Sequence, residues 1–233
     1  MATLPINYPR HILRTLDSFL EKPTRVVLFG RAALALGFGD EGAKFGKTAD
    51  VDAILPMVEM AEIESDTQFW KAIELTNNSL APSGLYLSHL FTDRQVALTP
   101  SWFEKIVAIP SGDHKFLRLF RPSCLDLVLT KMMRNDREDL EDIQFILSQE
   151  KISPSALDKA FLEARVLEIP ELQAIFVRMQ PIVREMALEL ESGRPAGEKS
   201  ESPGRSLDPD WWSKLTEQPG DKREIERDRG IEP

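Results

Sequence analysis

The sequence predicts an α+β fold: a small mixed sheet with flanking helices, followed by a helical C-terminal half. Three features carry this. Over the first 121 residues, short apolar runs ending at glycine or proline alternate with helical patterns. From Pro122 onward the apolar residues keep only helical spacing. Beyond about residue 190, Gly, Pro, Ser and mixed charge replace the branched aliphatics, and such a segment cannot bury enough apolar surface to offset its ordering entropy.

The elements follow in order. Residues 11–21 place Ile12, Leu13, Leu16, Phe19 and Leu20 at amphipathic helical spacing. Residues 25–29, RVVLF, are a buried strand ending at Gly30, and residues 31–36 start a helix. Residues 37–47 are a glycine-rich loop. Residues 50–55, DVDAIL, form a second strand that Pro56 stops. One helix is expected over 57–77, with Phe69 and Trp70 in the core. Residues 84–91 read as a third strand, and 95–98, 105–109 and 116–120 as further short ones, with Trp102 capping the sheet. Pro122 opens a helix, the segment from Asn135 to Glu138 has the form of a capping box before DLEDIQFIL, Ser153 opens another helix, and 169–189 hold the last. The expected organisation is an α/β core over 1–121, a helical subdomain over 122–190 packed on it, and a disordered tail over 191–233. The tail contains Trp211-Trp212, an aromatic pair that either docks back or anchors a partner.

Composition narrows the function. The 233 residues carry a net charge of −9, which argues against a protein that binds DNA or anionic membrane through bulk charge. One cysteine excludes an internal disulfide and suits a reducing compartment. The longest apolar stretch, 26–39, is interrupted by Arg31 and is too short to span a bilayer. The N-terminus lacks an apolar signal core, so a cytoplasmic location is expected. Cys124 has no companion ligands and reads as core; His11, His89 and His114 show no zinc spacing.

Asp50 and Asp52 are the first candidates for chemistry. Residues i and i+2 of a strand share a face, with Cα atoms roughly 6.5 Å apart. Two carboxylates so placed can ligate a hard divalent cation; without one they repel. Twenty residues earlier, a strand ends in Gly30 and passes directly into a helix. The glycine lets backbone approach a ligand, and the helix start offers free amide hydrogens to phosphate. A phosphate-binding turn followed by a metal-binding strand is what magnesium-dependent nucleotide chemistry needs.

The order VVLFGRAALAL…FGKTADVDAIL resembles the core of the polymerase-beta-like nucleotidyltransferase superfamily. RPSCLDLVLTKMMRNDREDLEDIQFIL is similar to the helical part of abortive-infection toxin nucleotidyltransferases of the AbiEii type and their bacterial relatives. Together the matches cover residues 25–147. The resemblance implies a small nucleotidyltransferase sheet and transfer of NMP from an NTP to a hydroxyl of RNA, protein or a small molecule. It also implies a toxin or defence role beside a cognate antitoxin or partner protein. Asp50 and Asp52 would bind Mg2+ or Mn2+. Gly30, Arg31, Lys47, Thr48, Lys131 and Asp142 would serve nucleotide binding, with Asp142 pairing with Lys131.

The chain departs from the superfamily pattern in three places, the mildest being Lys47, where the basic residue before the Asp-x-Asp strand is often Arg. Gly30 is followed by Arg31, where Gly or Ser is usual. Active members carry a third carboxylate on a following strand, and GLYLSHLF has none. Asp93, just after that strand, is the nearest catalytic candidate, and His89 lies on the strand itself. Asp136 and Asp139 have a second explanation in the helix dipole. Two classes therefore stay open: an active nucleotidyltransferase, and a catalytically degenerate fold acting as a nucleotide-binding or interaction module.

Overall fold

Five strands, β1 (Thr24–Phe29), β2 (Asp50–Leu55), β3 (Tyr86–Thr92), β4 (Val107–Ala108) and β5 (Leu117–Arg121), form one sheet in the order β3-β2-β1-β5-β4. The sheet is mixed: β1 runs antiparallel to β2 and parallel to β5, β2 runs parallel to β3, and β4 runs antiparallel to β5. The helices are α1 (Tyr8–Phe19), α2 (Gly30–Gly37), α3 (Met60–Ser65), α4 (Thr67–Leu80), α5 (Cys124–Lys131), α6 (Arg137–Gln149), α7 (Pro154–Glu163) and α8 (Pro170–Glu191). This computed structural model describes residues 7–192 except 111, 113 and 135, all within one compact unit. The tail with Trp211-Trp212, and Asn135, lie outside the described residues.

The α+β prediction holds: α1–α4 flank the strands, and after β5 the described chain forms only the helices α5–α8. One face of the sheet, carrying Val26, Leu28, Val51, Ala53, Leu87, Leu117 and Leu119, packs into the main core with α1, α2, α4 and the C-terminal helices. Ile12, Leu13 and Leu16 of α1 are fully buried there, each contributing about 1.5–3 kcal/mol of apolar burial. The other face is only partly covered. The segment 96–106 folds over it and sets Val96, Leu98 and Trp102 against Val27 and Ile54. Asp126, fully buried, fixes that segment: it accepts from the Thr99 N–H, the Thr99 hydroxyl and the Ser123 hydroxyl, each at 2.8 Å.

Several local expectations are corrected. The helix expected over 57–77 is broken, because Asp66 takes an N-cap position, accepts from the Phe69 N–H and starts α4 afresh. Phe69 is buried, whereas Trp70 is 37% exposed and donates from Nε1 to the Ile63 carbonyl. Residues 95–98 form no strand; Leu98 makes an isolated bridge with Arg165 instead. The strand expected at 105–109 shrinks to Val107–Ala108. The cap of α6 is Asp136, one residue later than expected; its side chain accepts from the Asp139 N–H, while the Asp139 carboxylate turns to Lys131 and Arg134, so no reciprocal box closes between these two residues. Ser153 caps α7 as expected. No helix among the described residues is long and apolar enough to cross a membrane.

Candidate functional site

The partly covered sheet face holds a cleft of about 540 Å3. Its floor is a row of paired residues from three strands: Phe29 of β1, Asp52 of β2 and His89 of β3. Paired residues point to the same side of a sheet, so Asp52 stands between the β1–α2 turn and β3. Asp50, two residues earlier on β2, lines the same cleft. The predicted pairing of carboxylates on one face is thus realised beside Gly30, Arg31 and Thr48.

Gly30 has φ +62°, a conformation that side-chain-bearing residues rarely adopt. A Cβ added there would lie 3.4 Å from Asp52 Oδ2, in van der Waals contact, so the turn and that carboxylate are immediate neighbours. Phe29, the N-cap of α2, provides no side-chain cap, so among the described residues no side chain caps the first turn. The Thr48 hydroxyl donates to Asp50 Oδ1 at 2.8 Å, which orients the first carboxylate. Lys47 is exposed and lies outside the cleft lining.

Asp52 is held from the other side by a β-bulge. The β2–β3 register shifts between Val51 and Asp52, so Val51 pairs with Leu87 but Asp52 with His89. Ser88 and His89 then both reach one oxygen: the Ser88 hydroxyl donates to Asp52 Oδ1 at 2.9 Å, and His89 Nδ1 lies 3.2 Å from it. The extra residue re-aims two successive side chains at one carboxylate. The sequence signal was the adjacent polar pair in Leu87-Ser88-His89-Leu90, which breaks the alternation of a half-buried strand.

The opposite wall comes from α5 and α6. Arg31 grips Asp142 with both arms, Nε to Oδ2 at 3.2 Å and Nη2 to Oδ1 at 3.1 Å, and also pairs with Glu138. Lys131 places Nζ 2.7 Å from both Asp139 and Asp142. Arg134 donates to Asp139 Oδ2 at 2.9 Å. Lys131 is buried, so its carboxylate-partner reading fits and a snorkelling one does not. Asp139 is also buried, so it does more than complement the helix dipole, which suffices for Asp136. Burial disfavours the charge on Arg31, but Asp142, Glu138 and Asp139 outweigh it and raise its pKa. Asp142 is completely buried behind Arg31 and Lys131 and does not line the cleft.

The third carboxylate is not supplied by Asp93. It is buried outside the cleft lining, where Oδ2 accepts from Trp102 Nε1 at 3.2 Å and from the Met57 N–H at 3.4 Å. Among the described residues no three His, Cys, Asp or Glu side chains gather as a metal site. Asp50 and Asp52 alone, lining one cleft, still suit a hard divalent cation of the magnesium kind. Such ions are commonly held by one or two carboxylates, with water and substrate phosphates completing the shell. A second cleft, of about 410 Å3, opens where β1 starts and β2 ends, and neither aspartate lines it.

Residues 11–178 match the model of a family described as nucleotidyltransferase of unknown function (DUF6036), and the chain belongs to that family. No curated protein and no solved structure matches it. The nucleotidyltransferase expectation is therefore met at the level of the superfamily, and the fold and the acidic strand agree with it.

Proposed function

We propose that the protein is a metal-dependent nucleotidyltransferase that moves NMP from an NTP to an acceptor hydroxyl. The observation that carries this is the placement of Asp50 and Asp52 in one cleft with the uncapped, glycine-led start of α2. The acceptor oxygen forms a bond to the α-phosphorus, and the bond to the bridging oxygen breaks. Pyrophosphate leaves with that electron pair, and the hydroxyl proton passes to water.

The charges fit this reading. Arg31, Lys131 and Arg134 are each matched by Asp142, Asp139 or Glu138, so the cations of the helical wall are already neutralised. Among the described residues, Asp50 and Asp52 are partnered by the hydroxyls of Thr48 and Ser88 and by His89. A bare triphosphate would meet net repulsion. Magnesium or manganese held by Asp50 and Asp52 would supply the missing positive charge and polarise the phosphoryl oxygens. The α2 amides cradle the phosphate tail, and the Arg31–Asp142 and Lys131–Asp142 pairs hold α5 and α6 against that turn.

The test is transfer of label from each α-labelled NTP with magnesium, in the presence of cell extract. Wild type labels an acceptor and the Asp50→Ala/Asp52→Ala double variant does not. Equal labelling by both would reject the proposal. The similarity of α5 and α6 to the abortive-infection toxins extends it to a toxin role, for which growth arrest on expression without a partner gene is the expected result.

A further inference from the structure

The in-line geometry of phosphoryl transfer gives the cleft two ends. The phosphate tail belongs at the Gly30 turn, and the attacking oxygen approaches from the side opposite the leaving group. Across the row Phe29–Asp52–His89, the side opposite the Gly30 turn is β3. This flank is chemically unlike the rest. His89 and Phe91, two residues apart on one face, stack at 5.3 Å between centroids and 17° between planes. Phe29 and Phe91 meet in a T-shaped contact at 5.6 Å between centroids. The His89 ring has one face on Phe91 and its Nδ1 edge on Asp52 and Ser88, yet its side chain is 62% exposed, which leaves the second face open.

Beside the rings, Gln95 lines the cleft with a fixed amide. Its Oε1 accepts from the Thr92 N–H at 2.8 Å and from the Thr92 hydroxyl at 3.1 Å. A backbone N–H can point only at the oxygen, so Nε2 is the end that Gln95 can offer as a donor. An open aromatic face next to an amide donor suits a flat ring whose edge carries hydrogen-bond acceptors. A nucleobase has both features. A tyrosine ring would stack, but its only edge heteroatom is the oxygen that must react.

Resting on the nucleotidyltransferase reading, we propose that His89, backed by Phe91 and bordered by Gln95, docks the acceptor, and that the acceptor is a nucleoside hydroxyl. Its source is either a mononucleoside or the 3′-terminal residue of an RNA. Two fluorescent probes separate them: 2-aminopurine riboside, and a short RNA ending in 2-aminopurine. Both are titrated into the full chain with magnesium, and quenching reports stacking. His89→Ala is expected to weaken binding of the probe by about tenfold, within the roughly 5- to 150-fold that one base–aromatic stack accounts for. His89→Phe, which keeps the ring and loses the bond to Asp52, is expected to restore it. Tighter binding of the RNA assigns a chain end and equal binding a mononucleoside, and either upholds the proposal.

Magnesium-NTP affinity, measured separately by calorimetry, keeps this test distinct from the first. If it is absent while the riboside still depends on His89, the transferase reading fails and the stacking site stands. Equal probe binding by wild type and His89→Ala overturns the proposal. So does an equal loss of NTP affinity in His89→Ala, or labelling of a tyrosyl peptide when neither probe binds.

Discussion

Arg31 and Asp142, one beside the Gly30 turn and one deep in the helical half, are joined by two parallel hydrogen bonds of 3.1 and 3.2 Å. Asp142 is fully buried and also takes Lys131 at 2.7 Å, so one carboxylate holds two cations from different elements. Breaking a buried pair by deleting one partner leaves the others uncompensated and costs about 3–5 kcal/mol. Asp142→Ala is therefore expected to lower the unfolding free energy measured in urea by about that amount. Arg31→Ala should cost less, because Asp142 keeps Lys131. A double-mutant cycle should show clear coupling between the two sites, and additive losses would mean that the pair does not join the halves.

Gly30→Ala tests the turn. At φ +62° a side chain costs roughly 1–2 kcal/mol, and the new methyl would stand in van der Waals contact with Asp52 Oδ2 at 3.4 Å, on the face where a ligand would approach. Stability should fall by about that amount in urea, and calorimetric affinity for magnesium-NTP should weaken on the order of tenfold. A loss of stability with unchanged affinity would place the phosphates elsewhere.

What the sequence disclosed of this site followed from periodicity and local chemistry. Asp50 and Asp52 share a face because a strand has period two, and Gly30 marks a turn that only glycine adopts easily. The Lys131–Asp142 contact was suggested by a charge on an otherwise apolar helix meeting an acid two turns into the next. The rest depended on tertiary placement. Nothing local shows that Arg31 faces Asp142, 111 residues away, or that Asp93 turns to Trp102 instead of the cleft. The bulge that gives Asp52 to both Ser88 and His89 is a property of two strands in register, and one strand's pattern only hints at it. In the fold, the break at Asp66 escaped notice because a capping aspartate inside an apolar periodic run does not interrupt the period.

Asp17 predicts a response to acid. Burial pushes its carboxyl up, but the N–H groups of Leu117, Lys115 and Phe116, at 2.7–2.8 Å, outweigh that and hold its pKa below the ordinary 3.8. A depressed folded pKa contributes stability that is present above the unfolded value and lost as pH falls through the folded one. The contribution should be whole at neutral pH and disappear only below about pH 4. Asp17→Asn is expected to lower stability at pH 7 by about 1–3 kcal/mol, since charged acceptors bind several amides best. It should also flatten the acid limb of a stability–pH curve. An unchanged acid limb would mean that these three bonds do not require the charge.

Cys124, the only cysteine, gives a reporter for the whole scheme. It is buried in α5 at 2% exposure. Burial first, and then Glu150, pushes its thiol up to about 12, with Arg121 opposing only in part. A thiol reagent at pH 8 thus meets almost no thiolate in the folded chain and should react at a rate set by opening of α5. If magnesium-NTP binds only the folded form, the open population shrinks by the factor 1 + [L]/Kd. Labelling should then slow by about 100-fold at a ligand concentration of 100 Kd. Magnesium or NTP alone should slow it far less, because Asp50 and Asp52 lie in the cleft while Arg31, Lys131 and Arg134 are already paired with carboxylates. Equal protection by NTP without the cation would show that the phosphates are held by side chains instead of through the Asp50–Asp52 pair.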